Sequence, residues 1–471
     1  MISYSFKYRL MLATVLLATL FSCTKDFPTN VESSDEVVLQ SIKILNAGVN
    51  GNTVVEGVID ENTKAISFPR LDPETNFEAL RFEATMSSGA KLDQDSYQFV
   101  FGEGVSSQTG IIKVVNNKRF REYRVILRLN VPVYGADFTK PLIYDYTNNE
   151  LGNPIYPTYT GATTRGSGFD GEHVLIVTRA AGGSHLLKVS DLRNNTIAPI
   201  PLNLTGVSGG TFPVNVGAQV NGHSYIANLS GNSAASPIKI YHWQDPTAVP
   251  QLIASINVPD GGVRIGDNMS ANLDANGNGY FFFGDNAATK VIRLKVTNYT
   301  TISDPFVFAS LTGSSYTMSF NRVGNTSDYI YTGYEAPIRV ANESGTVSYA
   351  LSNTAVPVRG SDAHVITFNN ERYLIMTTAA RSGSDPVVLY IYDITKGNTT
   401  TEALTLFNER ADKSPIYQYS LLGPAGANCF TQTRWYITKD EEGNDETLTI
   451  FSSHTDAGFV IVDFPKKTLD D

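Results

Sequence analysis

Apolar and polar residues alternate with a period of two along most of this chain, the pattern of strands that bury one face. Between residues 137 and 464 the alternation recurs as a repeat. Strands His185–Ser190, Ile238–Trp243, Val291–Val296, Pro337–Val340, Val388–Asp393 and Phe459–Asp463 begin about 50 residues apart, with a longer last interval. Each follows another strand: His173–Thr178, His223–Leu229, Gly279–Gly284, Asp328–Gly333, Arg372–Thr378 and Thr447–Ser453. Polar, glycine-containing segments such as Arg165-Gly166-Ser167-Gly168 lie ahead of these pairs. Four strands per repeat with no intervening helical pattern predict the blades of a β-propeller, six of them, with seven as the alternative. The last repeat has only three strands before the chain ends. A spare strand at 141–146, ahead of the first repeat, is predicted to supply the fourth and close the ring, so that neither end leaves an open edge.

Residues 37–132 show shorter strands: Val37–Leu45, Thr53–Ile59, Ala65–Arg70, Ala79–Met86, Tyr97–Phe101, Gly110–Val115 and Arg121–Leu129. Strands at this spacing predict a small immunoglobulin-like sandwich. The chain as a whole is therefore expected to be all-β, a sandwich followed by a propeller.

The first residues break the pattern. Lys7 and Arg9 precede an apolar run from Leu10 to Phe21, too short for a spanning helix, which needs about 20 residues. It ends in Leu20-Phe21-Ser22-Cys23, a lipobox. Residues 1–22 are thus expected to be a lipoprotein signal peptide and Cys23 the lipidated residue, with 23–36 a polar, acidic tether. No aspartate follows Cys23 directly, which favours the outer membrane; whether the cell surface or the periplasmic face stays open.

Composition narrows the reading further. With Cys23 acylated, Cys429 is the only other cysteine and no internal disulfide can form. The net charge of −10, with no basic cluster, argues against nucleic acid as a partner. Charged residues make up only 17%, against 24 Tyr and 24 Phe, a balance suited to β-structure with many turns.

Candidate chemistry lies where the innermost propeller strands begin, because their polar residues should meet around the axis. That set is Arg165, Asn215, Arg264, Asp267, Asn268, Tyr316, Arg359, Asp362 and His364, with Asn428 beside it. Arg, Asp, Asn and Tyr around a concavity suit sugar hydroxyls or a carboxylate; the alternative is that they bond blade to blade and fill the channel. Tyr316, Tyr334 and Trp243 are candidate sugar-stacking platforms. The six histidines show no zinc-ligand spacing, and Asp274-x-Asn276-x-Asn278 is an incomplete calcium loop better read as a turn, so no metal or other cofactor is expected. Asp267 and Asp362, on innermost strands of blades three and five, are a candidate carboxylate pair for glycoside hydrolysis. Ser453-His454-Thr455-Asp456 lacks a nucleophile elbow and reads as a turn.

The stretches Gly206–Pro213, Ile238–Trp243 and Arg264–Asn268, together with the N-terminal module, resemble a family of uncharacterised lipoproteins that accompany starch-utilisation-type glycan uptake systems of gut bacteria. The resemblance implies a role near polysaccharide capture and transfers no active residue. Three functions follow as expectations: a non-catalytic glycan-binding lipoprotein, a propeller glycoside hydrolase or polysaccharide lyase, or a scaffold docking an outer-membrane transporter.

Overall fold

The computed structural model describes residues 35–102, 105–147, 156, 159, 161–312, 317–381, 386–423, 426 and 428–468. The expected signal peptide, Cys23, most of the expected tether and Tyr316 lie outside these described residues. The chain divides after Pro132 into two compact units.

The first unit is two sheets around one core. β1 (Leu39–Ala47) pairs with β2 (Thr53–Glu56) and, after β3 (Val58–Asp60) and β4 (Ala65–Ser67), with β5 (Phe82–Met86). The second sheet runs β3-β4-β8-β7-β6, with β6 at Lys91–Leu92, β7 at Ser107–Asn116 and β8 at Arg119–Arg128. Thr53–Ile59, expected as one strand, is split at Gly57, where the chain passes from one sheet to the other. A Cβ there would lie 2.8 Å from the Phe68 ring, so only glycine fits the crossing. Tyr97–Phe101 is no strand: it makes a single bridge, Leu80 to Tyr97. Its alternation reflects packing, since Tyr97 and Phe99 fill the core beside Phe82 and Val125.

The second unit opens with β9 (Leu142–Asp145) and continues as four-stranded antiparallel sheets. Blade one is β10 (Thr164–Phe169), β11 (His173–Thr178), β12 (His185–Lys188) and β13 (Ile200–Pro201), with helix α1 (Val189–Arg193) after β12. Blade two is β14 (Phe212–Val220), β15 (His223–Leu229), β16 (Ile238–Trp243) and β17 (Gln251–Ile256). Blade three is β18 (Ser270–Leu273), β19 (Gly279–Gly284), β20 (Lys290–Thr297) and β21 (Thr301–Ala309). Blade four is β22 (Ser319–Arg322), β23 (Tyr329–Thr332), β24 (Arg339–Ala341) and β25 (Val347–Ala350). Blade five is β26 (Gly360–Phe368), β27 (Glu371–Thr378), β28 (Val387–Asp393) and, after helix α2 (Thr400–Glu409), β29 (Tyr417–Leu421). Blade six is β30 (Thr431–Lys439), β31 (Asp445–His454), β32 (Gly458–Pro465) and then β9.

The first strand of each blade touches the first strand of the next, and β30 touches β10, so the sheets close a ring of six, a β-propeller. Apolar clusters fill the junctions between blades. At the junction of blades three and four, Phe282 stacks on Phe320 at 4.5 Å. At the junction of six and one, Phe169 lies parallel to Phe451 at 5.5 Å. Burying each such ring contributes roughly 2–3 kcal/mol, and the pairing about 1 kcal/mol more. Two features hold the ends of the ring together. β9 pairs with β32 from Asp145↔Val460 to Leu142↔Asp463. Beside it Arg193 forks onto Asp463, Nε to Oδ2 at 2.8 Å and Nη2 to Oδ1 at 2.9 Å, joining blade one to blade six.

Helix α2 was not expected. Thr399 caps it, accepting the N–H of Glu402 at 3.1 Å, and Thr400, Ala403, Leu404 and Phe407 turn one face into the junction of blades four and five. Val189 and Ser190, expected in a strand, begin α1.

Candidate functional site

The channel has two mouths, a start mouth where the innermost strands begin and an end mouth where they finish. Arg165, Asp267, Asn268 and Asp362 do meet, lining one cavity below the start mouth, but it measures only ≈ 20 Å³. That is room for about one water. Side-chain bonds between blades fill the rest. Gln432 crosses the channel, its Oε1 accepting from Ser167 Oγ at 2.8 Å while its Nε2 donates to the Gly217 carbonyl.

Asp362 is among the most heavily bonded of the predicted residues. It is 3% exposed and held at φ +46, within a bulge of β26. Its Oδ1 accepts from Asn321 Nδ2 of blade four at 2.8 Å. Its Oδ2 accepts from the Thr433 N–H of blade six at 2.8 Å and pairs with Arg434. With both oxygens engaged, Asp362 is poorly placed to act with Asp267 as a hydrolytic pair. Asn268 is likewise occupied, its Oδ1 accepting from the Gly284 N–H at 2.8 Å. His364 belongs to the other mouth. Its buried ring accepts from Arg434 at 3.1 Å, and burial pushes it down to about 4 against the pull of Asp362.

Around the rim of the start mouth the groups form a chain. Arg165 donates to the Asn428 carbonyl, Arg179 donates to Asn215 Oδ1, and Asn215 Nδ2 donates to the Gly266 carbonyl. Arg264 contacts buried Asp267 with both Nη2 and Nε at 3.1 Å. Across the rim Arg359 lies 3.6 Å from Glu335, and both Arg359 and Arg381 face the Tyr334 ring, at 5.9 and 5.2 Å. Sequence reasoning missed Arg179 and Arg381 because they lie just beyond the ends of second strands, which antiparallel pairing brings beside the first-strand starts. Tyr334, at 9% exposure, and Trp243, at 2%, are buried, so neither is an open stacking platform.

The end mouth is wider. A basin of ≈ 650 Å³ opens there, a size typical of ligand sites. Every blade contributes: Asp170, Asn221, Asn272, Arg322, Thr367 and Tyr436 represent the six in order. Tyr436 is 40% exposed and rests on Gly171, where the φ of +93 and the ring 2.3 Å from a would-be Cβ both require glycine. Trp435 and Lys439 lie alongside. The signal for this site was legible but unused: most of its polar lining residues, such as Asp170, Asn221, Asn272, Arg322 and Thr367, lie at or just past the end of a first strand.

The remaining candidates are structural. His454 is buried and neutral, held down to about 4 by burial, and its Nε2 accepts the Ala380 N–H at 3.1 Å. Asp274 accepts the N–H groups of Asn276 and Asn278 at 2.8 and 2.9 Å, a turn. Burial raises the Cys429 thiol to about 11, where little thiolate forms. No three His, Cys, Asp or Glu converge as metal ligands among the described residues.

The DUF4623 family, described as a domain of unknown function, matches residues 25–467. A solved DUF4623 family protein from Bacteroides eggerthii DSM 20697 is 42% identical, with a TM-score of 0.82 over 92% of this chain and 99% of that one. Looser likenesses include an endo-arabinase from Bacteroides thetaiotaomicron VPI-5482, at 12% identity and a TM-score of 0.33 over 67% of this chain and 97% of that one. The WD40 β-propeller domain of Doa1 is 10% identical, with a TM-score of 0.35 over 81% of this chain and 98% of that one. Among curated proteins none matches.

Proposed function

The chain belongs to the DUF4623 family, and on that footing we propose that it is a non-catalytic glycan-binding lipoprotein of a polysaccharide capture system. In this reading Cys23 carries the lipid that holds it to the outer membrane, the first unit is an immunoglobulin-like spacer, and the propeller is the binding head. The observation that carries it is the end-mouth basin. Polar side chains from all six blades, a carboxylate from blade one and amides, guanidinium groups and hydroxyls from the others, line a space of ligand size beside an exposed tyrosine, which suits sugar hydroxyls and a sugar ring face.

The carboxylates there favour binding over cleavage. Asp170 Oδ1 accepts the His173 N–H at 2.8 Å and its Oδ2 the Gly222 N–H at 2.9 Å. Asp274 closes its turn, and Asp445 accepts the Asn369 N–H at 2.8 Å and faces Lys439 at 3.0 Å. A glycosidase needs two carboxylates facing the scissile bond, and each of these is committed to holding the fold.

Affinity electrophoresis against a panel of polysaccharides, with product analysis of the same samples, tests the proposal. Retardation without cleavage is expected, weakened several-fold by Tyr436→Ala. New reducing ends or unsaturated products would mean an enzyme, and no retardation by any polysaccharide would leave the transporter scaffold. Labelled palmitate incorporated by the wild-type chain and lost in Cys23→Ser tests the anchor.

A further inference from the structure

The start mouth is narrow, yet five arginines gather at its rim in a chain whose net charge is −10: Arg165, Arg179, Arg264, Arg359 and Arg381. Two described carboxylates pair with them, Asp267 with Arg264 and Glu335 with Arg359. Arg179 has neither. Its Nη2 donates to the neutral Asn215 oxygen, its guanidinium lies 3.5 Å over the Phe212 ring, and its buried Nε has no hydrogen-bond partner among the described residues.

Two further buried groups face the same place unsatisfied. Thr317 and Thr431, 4% and 6% exposed, line the cavity beneath the rim, and the Oγ1 of each is buried without a partner. A buried donor left unbonded costs about 1–3 kcal/mol, so three at one mouth mark a place where a ligand's acceptors would be stabilised.

We propose that the start mouth binds a carboxylate, such as the acid group of a uronic acid sugar, with Arg179 as its principal partner and Arg165 beside it. A guanidinium matches a carboxylate through two parallel N–H···O bonds. Phe212 holds Arg179 flat, which lowers the entropy cost of that geometry. Asp267 lines the same cavity, and its pairing with Arg264 offsets the negative charge it presents to the anion. The state of Arg179 agrees with this placement. Burial first, then the charge of Arg165, bring it down to about 10; Asp267 offsets this in part and Arg264 adds to it. An arriving anion relieves both the burial and the repulsion. The site stands apart from the end-mouth basin; only the source of the carboxylate, a glycan, rests on the function proposed above.

Calorimetric titration of the whole chain at fixed ionic strength decides it, with galactose, galacturonic acid and oligogalacturonate as probes. The acids are expected to bind and galactose not to. Arg179→Gln is expected to weaken acid binding roughly ten- to hundredfold, as one charge-assisted pair is lost. Arg179→Lys keeps the charge and loses the fork, and is expected to fall between. Arg165 is almost fully buried, so the half-buried Arg179 carries the test, with unchanged thermal unfolding of each variant as the check on folding. Tighter binding of the oligomer than of the monomer identifies a glycan source, and equal binding a free acid. No preference for acid over galactose, or acid binding unchanged in Arg179→Gln, overturns the site. Tyr436→Ala separates the two proposals, since it should weaken polysaccharide retardation at the basin and leave acid binding intact.

Discussion

Replacing Asp362 by alanine should destabilise the propeller severely, whatever it does to binding. The residue is 3% exposed and joins three blades: it accepts from Asn321 of blade four, and from the Thr433 N–H and Arg434 of blade six. Removing it takes the carboxylate from the Arg434 guanidinium, whose side chain is only 13% exposed and keeps the Thr433 carbonyl and the His364 ring as neutral partners. Breaking a buried pair from one side costs about 3–5 kcal/mol. The orphaned Asn321 and Thr433 donors add about 1–3 kcal/mol each, partly relieved by local rearrangement. Alanine at φ +46 costs roughly another 1 kcal/mol. Even if both donors find new partners, a loss of about 4–6 kcal/mol is the expectation, a large part of the 5–15 kcal/mol that a domain possesses. Asparagine tolerates that backbone and keeps one acceptor, so Asp362→Asn should lose about half as much. Urea unfolding followed by tryptophan fluorescence is the assay, because both tryptophans, Trp243 and Trp435, lie in the second unit and report on it alone. A loss below about 1 kcal/mol for Asp362→Ala would refute the reasoning and return Asp362 to the pool of ligand-binding residues.

Three further outcomes follow from the same geometry. Gly168→Ala would set a Cβ 2.3 Å from the Gln219 backbone nitrogen, between the innermost strands of blades one and two, and should cost about 2–3 kcal/mol; an unchanged urea midpoint would show that the strands can part. Asp463→Ala removes the fork from Arg193 at the ring closure and should lower the melting temperature of the second unit by several degrees, and hydrogen exchange in β9 should rise with it; protection left intact there would mean that strand pairing alone closes the ring. Buried His454 stays neutral down to about pH 4, whereas the unfolded chain protonates it near 6.5, so its effect is nil above that value. Stability then falls as pH drops from about 6.5 to 4, by roughly 3 kcal/mol for this one group, and His454→Gln should flatten that slope; a slope that does not change would place the acid sensitivity elsewhere.

The repeat made the propeller legible because each blade presents the same two alternating apolar strands to its neighbours, and a period near 50 survives differences in loop length. Leu142–Asp145 could be assigned to blade six because a three-stranded last repeat leaves an edge, and edges are covered. Helix α2 was missed although its signal was present. Thr400, Ala403, Leu404 and Phe407 recur at helical spacing behind a Thr399 cap, yet ten residues inside a strand repeat read as loop. Tyr97–Phe101 failed in the opposite sense. Its alternation was real, but the rings pack against the core without a ladder, and backbone pairing leaves no mark in the sequence.

The functional residues were harder to read for one physical reason. Polarity at the start of a first strand identifies residues near the axis, but an innermost strand must also bond to its neighbours. Asp362, Asn268 and Gln432 spend their polar atoms on that task, and nothing in the sequence distinguishes them from a ligand residue. What distinguishes a binding group is the bonding capacity left after the blades are joined. By that measure the channel between the mouths is largely spent, its innermost strands bonded blade to blade through Gln432, Asn321 and Asp362. Capacity remains at its two ends: at the basin, where the first strands have finished and Tyr436 stands exposed, and at the rim, where Arg179, Thr317 and Thr431 keep unbonded atoms. A ring that satisfied itself throughout would have neither, so the two mouths, and not the polar channel between them, are where this propeller can meet another molecule.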